Sequence, residues 1–127
     1  MKKMKKYVLI VEDNSLNARL MGEYLKRKRV DYILAPDGET AIEVVKKNPD
    51  ICLVLMDIGL PKMSGDEAMV EIKKIRYDLP VIAQTAYTFA DCEDNYIKAG
   101  FDDYISKPIN FHMLDTLLLK YDSVDIF

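Results

Sequence analysis

Ile51-Cys52-Leu53-Val54-Leu55-Met56-Asp57 is an unbroken apolar run closed by a carboxylate, and it decides the fold. Three other runs end on a polar group in the same way. Val8-Leu9-Ile10-Val11 leads into Glu12-Asp13, Val81-Ile82-Ala83-Gln84 into Thr85, and Tyr104-Ile105-Ser106 into Lys107-Pro108. As parallel strands of one sheet, these runs gather three carboxylates, a hydroxyl and an ammonium at one edge, the place where open α/β sheets bind ligands. Such a set suits a divalent cation and a phosphoryl group.

Segments of helical spacing lie between the runs, and the alternation of the two periods predicts an α/β fold. After Asn14-Ser15, the residues Leu16, Leu20 and Tyr24, flanked by Met21 and Leu25, form an apolar stripe; Tyr32-Ile33-Leu34-Ala35 then reads as a second strand. Asp37 is placed to cap a helix with Ala41, Ile42 and Val45 on one side, which stops at Asn48-Pro49 because a residue before proline disfavours the helical region. Ser64 and Glu67 have capping-box spacing ahead of Ala68, Ile72 and Ile75. Thr88 and Asp91 repeat it more weakly, and Gly100 suits the position just past a helix end. Asn110 is placed to cap a last helix carrying Phe111, Leu114, Leu117 and Leu118, ending near Tyr121. Five strand-helix units follow, and right-handed crossovers put helices on both faces of a parallel sheet. Strand order is not readable from periodicity.

At 127 residues the chain suits a single domain, 1–127 with a core of about 7–121. A chain of this size buries roughly two thirds of its unfolded surface. Half of the residues are hydrophobic and 31% charged, a globular balance, and no apolar stretch reaches the roughly 18 residues of a membrane span. The start Met1-Lys2-Lys3-Met4-Lys5-Lys6 has the charge of a signal peptide, but Glu12-Asp13 cuts its apolar run short of the about 7 to 15 residues required. A cytoplasmic location is expected. Cys52 and Cys92 form neither a metal nor a redox pattern. The net charge of -3 argues against direct nucleic-acid binding, and Lys26-Arg27-Lys28-Arg29 reads as a solvated helix end where cations favour the dipole.

At the sheet edge, Glu12 and Asp13 beside Asp57 would repel one another unless a cation relieved the crowding. Oxygen donors with room for water suit Mg²⁺, or alternatively Mn²⁺, whereas zinc draws on His or Cys; the lone His112 belongs to the last helix. A carboxylate is itself a nucleophile toward phosphorus when a metal and an ammonium neutralise the transferred charge, so Asp57 would attack and Lys107 pair with the phosphoryl oxygens. Thr85 would bond one of them. Taken singly, Asp57 and Thr85 also read as turn residues and Lys107 as a surface charge; their joint placement at strand ends is what carries the chemistry.

With these residues in view, the chain resembles the receiver domain of two-component response regulators, from Tyr7 to about Tyr121. The resemblance rests on Glu12-Asp13-Asn14, on Met56-Asp57-Ile58 with Pro61 and Gly65, on Thr85-Ala86 and on Lys107-Pro108. It implies a flavodoxin-like, doubly wound sheet of five parallel strands in the order 2-1-3-4-5 with five helices. It further implies Asp57 as phosphoacceptor, Asp13 and Glu12 as metal-site acids with Glu12 acting through water, and the Gly59 carbonyl as a further ligand of Mg²⁺. Thr85 and Tyr104 are similar to the family's switch pair, Lys107 to its phosphate-binding lysine, and a cis Lys107-Pro108 peptide is expected. The partner implied is a histidine kinase or histidine phosphotransfer protein. Output, including self-association, is expected through the face of helix 4, strand 5 and helix 5. Asn14, Asn17 and the stretch Asp102 to Ile109 look most like receivers of hybrid sensor kinases. Glycine at 59 and Tyr87 border the path of the hydrolytic water, which leaves the lifetime of the phosphoryl state open. Roughly six residues follow the last helix, so either a stand-alone receiver or a piece of a longer chain is expected.

Two other classes compete. A phosphatase with an aspartate nucleophile, as in the haloacid dehalogenase group, would carry an acid two positions after Asp57, where Gly59 stands. An interaction module without chemistry would lack one of Glu12, Asp13, Asp57, Thr85 or Lys107. Flavin binding would need a phosphate loop after the first strand, which is missing. The expectation is therefore a non-enzyme that catalyses only its own phosphorylation and slow dephosphorylation.

Overall fold

The computed structural model describes residues 6–85 and 96–121. Five strands alternate with helices: β1 (Tyr7–Val11), α1 (Ser15–Arg27), β2 (Asp31–Ala35), α2 (Gly38–Lys47), β3 (Ile51–Asp57), α3 (Gly65–Ile75), β4 (Val81–Thr85), a helical turn at 96–99 (α4), β5 (Asp103–Ser106) and α5 (Phe111–Lys120). All strand pairs are parallel, and the order is β2-β1-β3-β4-β5, as the family resemblance implies. The expected helix cap at Thr88 and Asp91, together with Tyr87 and Cys92, lies outside the described residues.

Each face of the sheet has its own core, divided by the period-two alternation of strand side chains. Leu9 and Val11 of β1, Val54 and Met56 of β3, and Val81 and Ala83 of β4 meet α2 through Ala41 and Val45 and α3 through Ala68, Met69 and Ile72. The intervening Val8, Ile10, Leu53, Leu55 and Ile82 meet Met21 and Leu25 of α1 and Leu114, Leu117 and Leu118 of α5. Both faces are thereby closed to water, which is why the strands read as continuous apolar runs.

Helix starts follow the side-chain oxygens present in the sequence. The side chains of Asn14, Asp37, Ser64 and Asn110 each accept a backbone N–H of the first turn, satisfying donors that the helix leaves orphaned. Lys26 and Arg27 occupy the exposed last turn of α1. Among the described residues, no helix is long and apolar enough to cross a membrane.

Three stripes need correction, that of α5 because Phe111 is 38% exposed while Leu114, Leu117 and Leu118 are buried. Leu16 and Leu20 are exposed, at 63% and 54%, and α1 instead buries Ala18, Met21, Gly22 and Leu25. The small Ala18 and Gly22 let the helix lie close to the sheet, while Tyr24 stacks on Phe111 of α5 with ring centroids 4.2 Å apart. In α3, Met69 joins Ala68 and Ile72 inside, and Ile75 is left exposed at the last turn.

Gly65 sets the height of Asp57. A Cβ there would stand 2.4 Å from the Asp57 carbonyl oxygen and 3.0 Å from the Ile58 Cα, both backbone atoms unable to yield by rotation. At Gly59 the same addition meets, among the described residues, only Asp57 Oδ1, at 3.7 Å. Gly65→Ala is therefore expected to lower unfolding free energy in urea by about 1–3 kcal/mol, and Gly59→Ala to change it by less than about 0.5 kcal/mol. Equal effects of the two variants would contradict this account of the loop.

Candidate functional site

The hydrogen-bond ladder runs past the strand ends and sets the loops at one edge in a common frame. The Glu12 N–H donates to the Ala35 carbonyl at 3.0 Å, Ile58 N–H to Gln84 at 3.1 Å and Lys107 N–H to Thr85 at 2.7 Å. Glu12, Ile58 and Lys107 thus each hang from the neighbouring strand. The Lys107-Pro108 peptide is cis, as expected.

This framing brings four of the expected residues together. One carboxylate oxygen from each of Glu12, Asp13 and Asp57 falls in a cluster whose members all lie within 4.8 Å of one another. Glu12 and Asp57 are buried, at 3% and 5% exposure, while Asp13 faces solvent. Lys107 Nζ sits 3.0 Å from both Glu12 Oε1 and Asp57 Oδ2. The Gly59 N–H donates to Asp57 Oδ1 at 3.0 Å, so both oxygens of Asp57 are engaged.

Two buried acids sharing one ammonium cannot ionise independently. Burial, and then the hydrogen bond shared with Asp57, push the Glu12 carboxyl up to about 7. Burial opposes the charge of Asp57 too, but hydrogen bonds with Glu12, Gly59 and Lys107 outweigh it and hold that carboxyl below its ordinary value. Burial likewise opposes the Lys107 charge, and its bonds to Asp57 and Glu12 more than offset that, raising its pKa. The result is an Asp57 held ionised opposite an ammonium, with Glu12 the more readily protonated of the two acids.

The donor set fits a hard divalent cation. Glu12 Oε2 is buried with no hydrogen-bond partner among the described residues, and every candidate ligand is oxygen. His112 lies exposed in the first turn of α5, and Cys52 Sγ turns to the Tyr7 carbonyl, so neither joins the cluster.

Beside the cluster opens a cavity of about 500 Å³ lined by Glu12, Asn17, Leu20, Met21, Lys107, Pro108, Ile109 and Phe111. The exposed Leu20 and Phe111 thus rim the entrance to the acids. Thr85 is buried at the end of β4, in register with Ser106, and its hydroxyl shares a 2.8 Å hydrogen bond with Tyr96 of α4. Tyr104 is half-buried on β5 and packs against the α2–α3 core. Sequence reasoning missed Tyr96, and it missed Gln84, which is fully buried with neither amide atom hydrogen-bonded among the described residues. The one available signal for Tyr96 is its position four residues before Gly100.

The sequence pattern of the response regulator receiver domain matches residues 8–119. A hybrid signal transduction histidine kinase of Dictyostelium discoideum is 34% identical, over 90% of this chain and 7% of its own length. The signal transduction histidine-protein kinase BarA of Escherichia coli K12 is 37% identical, over 90% of this chain and 12% of its own. The chain therefore spans a small part of these relatives. Among solved structures, the receiver domain of a Saccharomyces cerevisiae response regulator, crystallised with a histidine phosphotransfer protein, superposes with a TM-score of 0.83 at 27% identity, covering 100% of this chain and 97% of that one. The receiver of a Pseudomonas aeruginosa sensor histidine kinase, with a magnesium ion coordinated in its active-site cleft, gives 0.82 at 28% identity, covering 92% and 97%.

The Glu12 shift has a sign that stability measurements can read. A carboxyl whose folded-state pKa is raised binds its proton more tightly in the folded chain, so its contribution is full below the unfolded value of 4.5 and is lost as pH rises through about 7. Without divalent cations, Glu12→Gln is expected to stabilise the protein at pH 8 by on the order of 2 kcal/mol, with the gain shrinking toward pH 5. A difference independent of pH in chemical denaturation would contradict the assignment of the proton to Glu12.

Proposed function

The chain belongs to the response regulator receiver family, and on that footing we propose that it is the phosphoacceptor switch of a two-component phosphorelay, with Asp57 taking the phosphoryl group. The observation that carries this reading is the 3.0 Å pairing of buried Asp57 with Lys107 beside Glu12 Oε2, which has no hydrogen-bond partner among the described residues. Asp57 is kept ionised and therefore nucleophilic. One of its oxygens attacks the phosphorus of a phosphohistidine; the P–N bond breaks, and the imidazole leaves with the bonding pair. Lys107 then turns its donors from the carboxylates to the transferred oxygens.

Glu12, Asp13 and Asp57, with the Gly59 carbonyl, would hold Mg²⁺, or alternatively Mn²⁺. Bound there, the cation neutralises charge on the acids and on the group in transfer. Thr85 and Tyr104 form the switch: the Thr85 hydroxyl bonds a phosphoryl oxygen, the Tyr104 ring turns inward, and the face of α4, β5 and α5 changes shape for output, including self-association. The chain turns over no external substrate and promotes only its own phosphorylation and slow dephosphorylation. Residues 1–127 act as one receiver domain with a core of about 7–121, in the cytoplasm, without direct contact with nucleic acid or membrane.

The phosphodonor is a histidine kinase or a histidine phosphotransfer protein. The yeast structural neighbour, crystallised with a protein of the second kind, supports this. The exposed Leu20 and Phe111 at the rim of the cavity beside the acids offer such a donor an apolar footing.

Intact-mass measurement tests the reaction. A small acyl phosphate with Mg²⁺ should add one phosphoryl group to the wild-type chain, none in EDTA and none to Asp57→Asn; full labelling of the variant would overturn the assignment. A second outcome separates docking from chemistry. Leu20→Ser should slow transfer from a histidine phosphotransfer protein about 5- to 30-fold, as loss of an interface anchor does, while labelling by the small donor is unchanged. Equal slowing of both reactions would count against the rim as a docking site.

A further inference from the structure

The hydroxyl assigned to the phosphoryl group is already engaged. Thr85 is 2% exposed, and its Oγ1 lies 2.8 Å from the Tyr96 hydroxyl. Tyr96 is held in place from two directions. At the end of α4, Phe101 N–H donates to the Tyr96 carbonyl and Gly100 N–H to the Ile97 carbonyl, both at 3.1 Å, and Gly100 takes a φ of 120°. That is a Schellman closure, in which the third-last helical residue and the residue after the glycine make an apolar contact. Here that contact is the Tyr96 ring edge-on to buried Phe101, with centroids 6.2 Å apart. Tyr96 also packs against the α2–α3 core.

A threonine side chain sits in one rotamer at a time, whichever hydroxyl of the Thr85–Tyr96 pair donates. Turning it toward a phosphoryl oxygen on Asp57 means turning it from Tyr96. We propose that Tyr96 is a positioning residue that holds the Thr85 hydroxyl in the unphosphorylated arrangement, so that phosphorylation must exchange the Thr85–Tyr96 bond for a Thr85–phosphoryl bond. The exchange also frees the end of α4, because Tyr96 then loses its hydrogen bond to β4. This inference rests on the reading of Thr85 as a ligand of the phosphoryl oxygens.

The test is titration of the whole chain with beryllofluoride, a phosphoryl mimic, in Mg²⁺, followed by amide NMR resonances. Tyr96→Phe removes one oxygen and keeps the ring that packs on Phe101. It is expected to bind beryllofluoride about 3- to 10-fold tighter than wild type, the range set by one neutral hydrogen bond. Thr85→Ala is expected to weaken binding, and adding Tyr96→Phe to it should change nothing further, since the Tyr96 hydroxyl acts on the site through Thr85. A ring that merely packs would leave the affinity unaltered by loss of its oxygen. Unchanged or weaker binding by Tyr96→Phe, or the same gain in the Thr85→Ala background, overturns the role of Tyr96. Wild-type binding that Thr85→Ala leaves intact, or that Asp57→Asn does not abolish, overturns the reading of the site beneath it and this inference with it.

Discussion

Lys107 answers for two buried carboxylates with a single ammonium, and the edge of the sheet is arranged around that imbalance. Asp57 and Glu12 each lie 3.0 Å from the same Nζ, and Asp13 adds a third acid nearby. A protein selected only for stability would not keep such a cluster, since packing apolar groups there costs less than crowding like charges in a poorly solvated place. In the proposed switch this crowding has a use: it would leave a place for a cation and keep Lys107 ready to follow charge from Asp57 to a transferred phosphoryl group.

The cluster exists because the sheet order brings distant residues to one edge. β1 lies between β2 and β3, so Glu12 and Asp57 end adjacent strands, while Lys107 arrives from the far side of β4 on the loop after β5. Gly65 lets α3 begin directly against the Asp57 backbone, which fixes Asp57 from below. The same strands divide two cores, with α1 and α5 on one side and α2 and α3 on the other. Asp102 ties the lower end of this frame: its carboxylate accepts the Val81 N–H at 2.8 Å and pairs with Lys73 of α3.

Much of this was legible in the residues, for identifiable reasons. Apolar runs ending on Glu12, Asp57, Thr85 and Lys107 mark strands and their ends because a strand covered on both faces carries few polar residues before its end, buried Gln84 of β4 being an exception. Asn14, Asp37, Ser64 and Asn110 mark helix starts because an orphaned N–H needs an acceptor at that spacing. Strand order came only with the family resemblance, since periodicity carries no information about neighbours. The apolar stripe of α1 was misplaced by one row because counting large side chains favours Leu16 and Leu20, whereas close packing favoured Ala18 and Gly22. The Thr85–Tyr96 bond joins residues on separate elements, and the structural role of Asp102 depends on a backbone N–H across the sheet; no local pattern announces either.

The central claim is chemical: of the acids at this edge, Asp57 alone becomes an acyl phosphate. Borohydride reduces an acyl phosphate on aspartate to homoserine and leaves a free carboxylate untouched, so the acceptor can be read by peptide sequencing after phosphorylation in Mg²⁺. The account predicts homoserine at position 57 and at no other. Reduction at residue 13, a reduced glutamate at residue 12, or no reduced residue after confirmed phosphoryl incorporation would contradict it.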